Sequence, residues 1–130
     1  MRSTVGIVLV SHSPLLGAGV RELAGQLGEG VPVAVAAGTA DGGIGTSYEL
    51  IEAAVREADQ GAGVVVLPDL GSAVLTARTV LADLAEPERV VLVDAPFVEG
   101  AVAAVVTAST GAALAEVVRS AQEARQANKF

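Results

Sequence analysis

Four short runs of mostly branched apolar residues punctuate the chain: VGIVLV at 5–10, VPVAVA at 31–36, GVVVL at 63–67 and RVVLV at 89–93. Each has the length of a strand, and the segments between them carry apolar residues at helical spacing. A chain that alternates strand and helix in this way implies an α/β domain with a largely parallel sheet. With right-handed crossovers and strand order 2-1-3-4, the sheet is open and four-stranded, with helices on both faces. The core has to be built from Val, Leu, Ile and Ala, because hydrophobic residues make up 52% of the chain and aromatics only 2%. Small branched side chains of that kind suit a parallel sheet covered on both faces. The 130 residues allow one such core, so residues 1–130 are expected to form a single domain, with a tail that frays from about 124.

The helices can be placed by their punctuation. Leu15, Leu16, Val20, Leu23, Ala24 and Leu27 recur at helical spacing until Gly28 and Gly30 provide a stop. Thr46 and Glu49 have the spacing of a capping box ahead of Leu50, Ile51, Ala54 and Val55, after a Gly-rich loop at 38–45. Ser72 is positioned to cap a third helix carrying Val74, Leu75, Val80, Leu81 and Leu84, with Pro87 beyond its end. Residues 98–108 read as a helix apolar nearly all round, which calls for more than one neighbour, a second subunit among them. A final amphipathic helix spans 111–127, with Leu114, Val117 and Val118 on one side and Glu116, Arg119, Glu123 and Arg125 on others.

Charge and composition then narrow the function. Eight basic residues face fifteen acidic ones, a net charge of -7 that disfavours nucleic acid and anionic membranes as partners. The absence of cysteine removes disulfides and thiolate chemistry and fits a reducing compartment, so the cytoplasm is expected. The start, MRSTVGIVLVSHSP, pairs an arginine with a strand-length run but has no A-x-A-like cleavage site, so it reads as structure rather than a leader. The nearest approach to a membrane span, APFVEGAVAAVVTAST, is interrupted by Glu99 and Gly100.

The one histidine, His12, stands where the first run stops, and Asp69 follows the third. Ligands of open parallel sheets bind outside the carboxyl ends of the strands. If strands one and three are neighbours, their loops bring His12 and Asp69 together. A carboxylate that accepts one imidazole N–H fixes the tautomer, turns the other nitrogen's lone pair outward and stabilises positive charge on the ring, which makes a nucleophilic histidine. Ser13 can cap helix one with Pro14 at its first position, while Gly71 allows close approach and Ser72 offers an amide and a hydroxyl. Two helix N-termini facing one histidine suit a bound anion such as a phosphoryl group. With no Lys or Arg nearby in sequence, a partner protein would bring the cations at transfer.

Blander readings cover the other candidates. Asp69 beside Leu-Gly could be an ordinary turn residue, and Asp41 with Gly42, Gly43 and Gly45 shapes a loop. No G-x-x-x-x-G-K-[ST] is present, and GAGVRE has Glu22 where a dinucleotide fingerprint needs its last glycine, so neither device for holding a nucleotide is expected. Asp94 and Glu99 read as solvated or capping carboxylates. One histidine without cysteine argues against a conventional transition-metal site, and no cofactor is expected.

Four segments, LVSHS (9–13), AAGTADGGIGTS (36–47), LPDLGSA (67–73) and APFVEGAVAA (95–104), resemble in that order the phosphotransfer subunits of the bacterial phosphoenolpyruvate-dependent dihydroxyacetone kinase, the DhaM family, and more broadly the mannose-type EIIA domains. The resemblance runs over about residues 5–120. It implies a homodimeric domain whose His12 is phosphorylated by the phosphocarrier HPr, with Asp69 orienting the ring and Ser13, Gly71 and Ser72 on the phosphoryl side. The group would then pass to ADP bound in a DhaL subunit, which phosphorylates dihydroxyacetone held by DhaK. DLGSA stands where the mannose transporters tend to carry a DLFGGTP-like loop, which favours the kinase branch over an EIIA component of sugar transport. Pro14 and Leu15 replace the polar or basic residues of many relatives, and the further phosphotransfer domains of larger members would be separate proteins. The competing readings are a small tetrapyrrole metal chelatase, whose histidine also follows the first strand, and a noncatalytic module binding through its Ala/Val-rich surface.

Overall fold

In a computed structural model, residues 3–130 are described; Met1 and Arg2, and with them the arginine of the leader argument, lie outside the described residues. The strands are β1 (Gly6–Ser11), β2 (Val33–Ala37), β3 (Val64–Pro68) and β4 (Val90–Leu92). The helices are α1 (Pro14–Leu27), α2 (Tyr48–Ala58), α3 (Gly71–Ala82), α4 (Phe97–Ser109) and α5 (Leu114–Glu123). All strand pairs are parallel and the order is β2-β1-β3-β4, as the alternation of elements predicts.

Alternation along each buried strand divides the core into two layers. Ile7, Leu9, Val65 and Leu67 face α1, α4 and α5, whereas Val8, Val10, Val64 and Val66 face α2 and α3. Strands buried on both faces need apolar residues at every position, which is why these read as unbroken runs. No helix among the described residues is long and apolar enough to cross a membrane.

Three local expectations are corrected. The α1 core face consists of Gly17, Val20 and Ala24, while Leu15, Leu16, Leu23 and Leu27 are exposed. A Cβ at Gly17 would lie 2.8 Å from Ala37 and 2.8 Å from Val35, so this helix lies too close to β2 for leucines in that row. The α2 cap is Ser47 rather than Thr46: Ser47 Oγ accepts the Leu50 amide at 3.2 Å, and Thr46 instead shares a 2.8 Å hydroxyl contact with Thr76 of α3. In α3 the N-cap position belongs to Leu70, and Ser72 lies inside the first turn, where its hydroxyl is directed away from the helix amides.

The apolar helix at 98–108 does meet several neighbours. Gly100, Ala101, Ala104, Val105 and Ala108 of α4 are buried, and its closest packing is against α5 and α1. The final helical segment is shorter than its periodicity suggests, ending at Glu123 before a 3-10 turn at Ala124–Gln126. From that turn the Arg125 guanidinium donates to the Asp94 carbonyl at 2.5 Å, and Lys129 pairs with Glu99 at 3.0 Å.

Candidate functional site

Register puts the site residues side by side. Val10 of β1 is opposite Pro68 of β3, and the Asp69 amide extends the ladder by donating to the Val10 carbonyl at 2.9 Å. His12 and Asp69 therefore leave adjacent strands at the same edge, the carboxyl end of the sheet. His12 Nδ1 lies 2.8 Å from Asp69 Oδ1.

The carboxylate is held on every side. Oδ1 also accepts the Leu70 amide at 2.7 Å, and Oδ2 accepts the His12 amide at 3.0 Å and the Ser11 hydroxyl at 3.0 Å. Burial pushes the Asp69 carboxyl up, but the His12 amide and ring and the Ser11 hydroxyl together outweigh it and hold it below the usual carboxylate range. Asp69 is thus ionised and can only accept, so the proton of the imidazole belongs on Nδ1. Nε2 is left with its lone pair, facing the Ser72 hydroxyl at 2.5 Å. The His12 side chain is 18% exposed and that of Asp69 6%, so the ring emerges from a buried support.

The remaining predicted residues divide. Ser72 reaches the imidazole, whereas the Ser13 hydroxyl is committed to the α1 cap, accepting the Leu16 amide at 3.2 Å. Gly71 opens α3, with nothing within 4 Å of where a Cβ would be, and borders a groove of about 410 Å³ shared with Asp69, Leu70, Arg78 and Asp94. Arg78, a cation not anticipated near the site, lines that groove, but among the described residues no Lys or Arg forms an ion pair with Asp69.

Ser11 is a supporting residue that sequence reasoning missed. Fully buried, it joins Asp69 Oδ2 to the Ser13 amide, which donates to its Oγ at 3.1 Å, and so links the Asp69 carboxylate to the start of α1. Its signal was a polar residue closing an otherwise apolar buried strand. The loop at 38–45 contributes backbone rather than side chains. Gly38, at φ +73, leaves β2 where a Cβ would come within 2.7 Å of Pro14 Cγ, and the Gly45 amide donates to the His12 carbonyl at 2.9 Å. Asp41 is used inside the loop, where it accepts the Thr39 hydroxyl and the Gly43 amide, the first of which does most to lower its carboxyl. Asp94 and Glu99 pair with Arg125 and Lys129.

Such an arrangement provides an imidazole with one nitrogen clamped on a carboxylate and the other able to act as a nucleophile, beside a hydroxyl and the open first turn of a helix. Residues 6–118 match the family model EIIA-man, described as PTS system fructose IIA component. The phosphoryl donor subunit DhaM of phosphoenolpyruvate-dependent dihydroxyacetone kinase from Providencia stuartii is 39% identical across 96% of this chain and 28% of its own length. The chain thus spans little more than a quarter of that relative. A phosphoryl donor subunit DhaM of dihydroxyacetone kinase 1 from Listeria innocua is 36% identical over 79% of this chain and 81% of its own length. Among solved structures, one titled as the unknown function protein EF1359 superposes with a TM-score of 0.83 at 34% identity, covering 100% of this chain and 98% of the other.

Proposed function

The chain belongs to the EIIA-man family, among the DhaM phosphoryl donor subunits, and from that premise we propose that it relays a phosphoryl group through Nε2 of His12. The observation that carries this reading is the clamp of His12 Nδ1 on Asp69 at 2.8 Å, which presents Nε2 at an open sheet edge. In the incoming step the Nε2 lone pair attacks the donor's phosphorus. The donor's bond to phosphorus breaks, its electron pair leaves with the donor, and a P–Nε2 bond forms. The ring keeps its Nδ1 proton and becomes cationic opposite Asp69. For this Ser72 must turn from the Nε2 lone pair, after which its hydroxyl can donate to a phosphoryl oxygen. A phosphate oxygen of the acceptor then reverses the chemistry.

On this reading the donor is HPr, and the acceptor is ADP held by a DhaL subunit that serves dihydroxyacetone on DhaK. The similarity to DhaM subunits of dihydroxyacetone kinase supports that kinase branch over sugar transport. A homodimeric, cytoplasmic relay is part of the same proposal. The test is intact mass after incubation with phosphoenolpyruvate, Enzyme I and HPr. One acid-labile phosphoryl group is expected on the wild type and none on His12→Ala, with discharge on adding an ADP-loaded DhaL subunit. Phosphorylation of His12→Ala would overturn the assignment, and retention of the group after DhaL is added would move the acceptor elsewhere.

A further inference from the structure

Among the described residues Ser11 is the one polar residue that is fully buried. A hydroxyl taken out of water is costly unless its hydrogen bonds are made, so the bonds at Ser11 have a purpose to be found. Its oxygen accepts the Ser13 amide at 3.1 Å, and its single proton has two acceptors in reach, Asp69 Oδ2 at 3.0 Å and the Ser13 carbonyl at 3.2 Å. The ionised carboxylate is the stronger acceptor of the two, and the Ser13 carbonyl is already bonded to the Gly17 amide at 3.0 Å. The bonds therefore run in one line, from the Ser13 amide to Ser11 Oγ, from the Ser11 hydroxyl to Asp69 Oδ2, and from Oδ1 to His12 Nδ1 at 2.8 Å. Along such a line each bond polarises the next, and charge drawn to Oδ2 is withheld from the ring at Oδ1. Burial raises the Asp69 carboxyl, while the His12 amide, the His12 ring and the Ser11 hydroxyl, in that order, bring it down.

A relay residue has to release the phosphoryl group as well as accept it, and the carboxylate favours only acceptance, because it stabilises the cationic ring of the phosphorylated form. An Asp69 with its charge undivided would hold that form too firmly. We propose that Ser11 is a positioning residue that acts through Asp69, drawing charge to Oδ2 and so keeping the Nδ1 bond weak enough for His12 to give its phosphoryl group up. The Ser11 proton stays on Oγ throughout, and no covalent bond forms or breaks there. Ser11 is the one side chain besides the His12 ring that bonds to this carboxylate, the other two donors being the fixed backbone amides of His12 and Leu70. The role has a direction that a merely structural one lacks: without the hydroxyl, the phosphorylated state gains on the free one.

This role rests on the relay proposed above, and the test separates the two. The full chain is equilibrated with a phosphorylated HPr-type carrier, and the phosphorylated chain with free carrier, while intact mass follows the phosphoryl group in each direction. In Ser11→Ala the partition should shift about tenfold toward the phosphorylated chain, through slower discharge, with uptake at least as fast as in the wild type. Ser11→Cys, whose thiol keeps the shape but donates weakly, should shift the same way, and Ser11→Thr, which keeps the hydroxyl, should restore the wild-type partition. Nitrogen-15 shifts should leave the ring proton on Nδ1 in all of them. Ser120→Ala, which removes a part-buried hydroxyl bonded to the Ala103 carbonyl at 3.2 Å, controls for lost stability and should keep the wild-type partition. Should Ser11→Ala fail to fold, the contrast between Cys and Thr decides the matter. A wild-type partition in the Ala and Cys variants, or uptake and discharge slowed alike, overturns the proposal and leaves the relay standing. Failure of the wild type to accept the group removes the relay and this role with it.

Discussion

Replacing Asp69 by Asn tests the site at its most constrained atom. The carboxylate accepts from four donors: the His12 ring and the Leu70 amide at Oδ1, the His12 amide and the Ser11 hydroxyl at Oδ2. An amide side chain keeps one acceptor and turns the other into an NH2, which must face one of two fixed backbone N–H groups. With NH2 toward Oδ2's partners, the part-buried His12 amide loses its acceptor, at a cost of about 1–3 kcal/mol. With NH2 toward Oδ1's partners, only the exposed Leu70 amide is displaced and water can take it, while the Ser11 hydroxyl keeps its acceptor. The second orientation costs less, and it forces Nδ1 to become the acceptor. The ring proton then moves to Nε2 and the nucleophile is blocked. Asp69→Asn should therefore lose about 1 kcal/mol of stability or less, yet transfer about 10³ to 10⁴ times more slowly, equivalent to roughly 4–5.5 kcal/mol in the barrier. Single-turnover phosphorylation followed by mass gives the rate, and nitrogen-15 shifts of the one histidine give the tautomer. A rate within about tenfold of wild type, with the proton still on Nδ1, would refute this reasoning.

Three further outcomes are expected. The Asp69 carboxyl is lowered in the fold, so its hydrogen bonds contribute stability that is complete above the unfolded value of about 3.9 and is lost as pH falls through the native value. Acid titration of unfolding should accordingly be shallower below about pH 4 in Asp69→Asn, and parallel curves would contradict the assignment. Tyr48, the one tyrosine, donates to Asp83 at 2.7 Å, and that bond, followed by burial, pushes its phenol up to about 12. The stabilisation holds below the unfolded value of about 10 and disappears as pH rises through about 12; ultraviolet titration should show a raised midpoint that Asp83→Asn brings down. Leu67 is fully buried between β3 and the α4 layer, so Leu67→Ala should cost about 2–5 kcal/mol in denaturant unfolding, with a loss under about 1 kcal/mol arguing against the packing described.

Short-range pattern determined the succession of elements in this protein. Branched apolar runs favour buried parallel strands whatever surrounds them, and a polar residue just beyond such a run lies at the sheet's carboxyl edge, which is enough to place His12 and Asp69 there. The α1 cap was legible for the same reason: Ser13-Pro14 uses only its own neighbours. Tertiary packing decided the rest. Leu15, Leu16, Leu23 and Leu27 share helical spacing with Val20, yet the close seat of α1 on β2 gives the core to Gly17 and Ala24 and leaves those leucines outside. Helical period reveals that a stripe is apolar but not how near the opposing surface comes. Thr46 and Ser47 are equivalent caps by type, and the Thr76 hydroxyl of another helix selected between them. Ser72 looked like a cap and became a partner of Nε2, and Ser11, given no role by pattern, became a support for the carboxylate, because both bonds span some sixty positions of chain. A contact across that separation exists only once β1 and β3 are in register; residue type and spacing determine which groups are available, and the fold determines which of them meet.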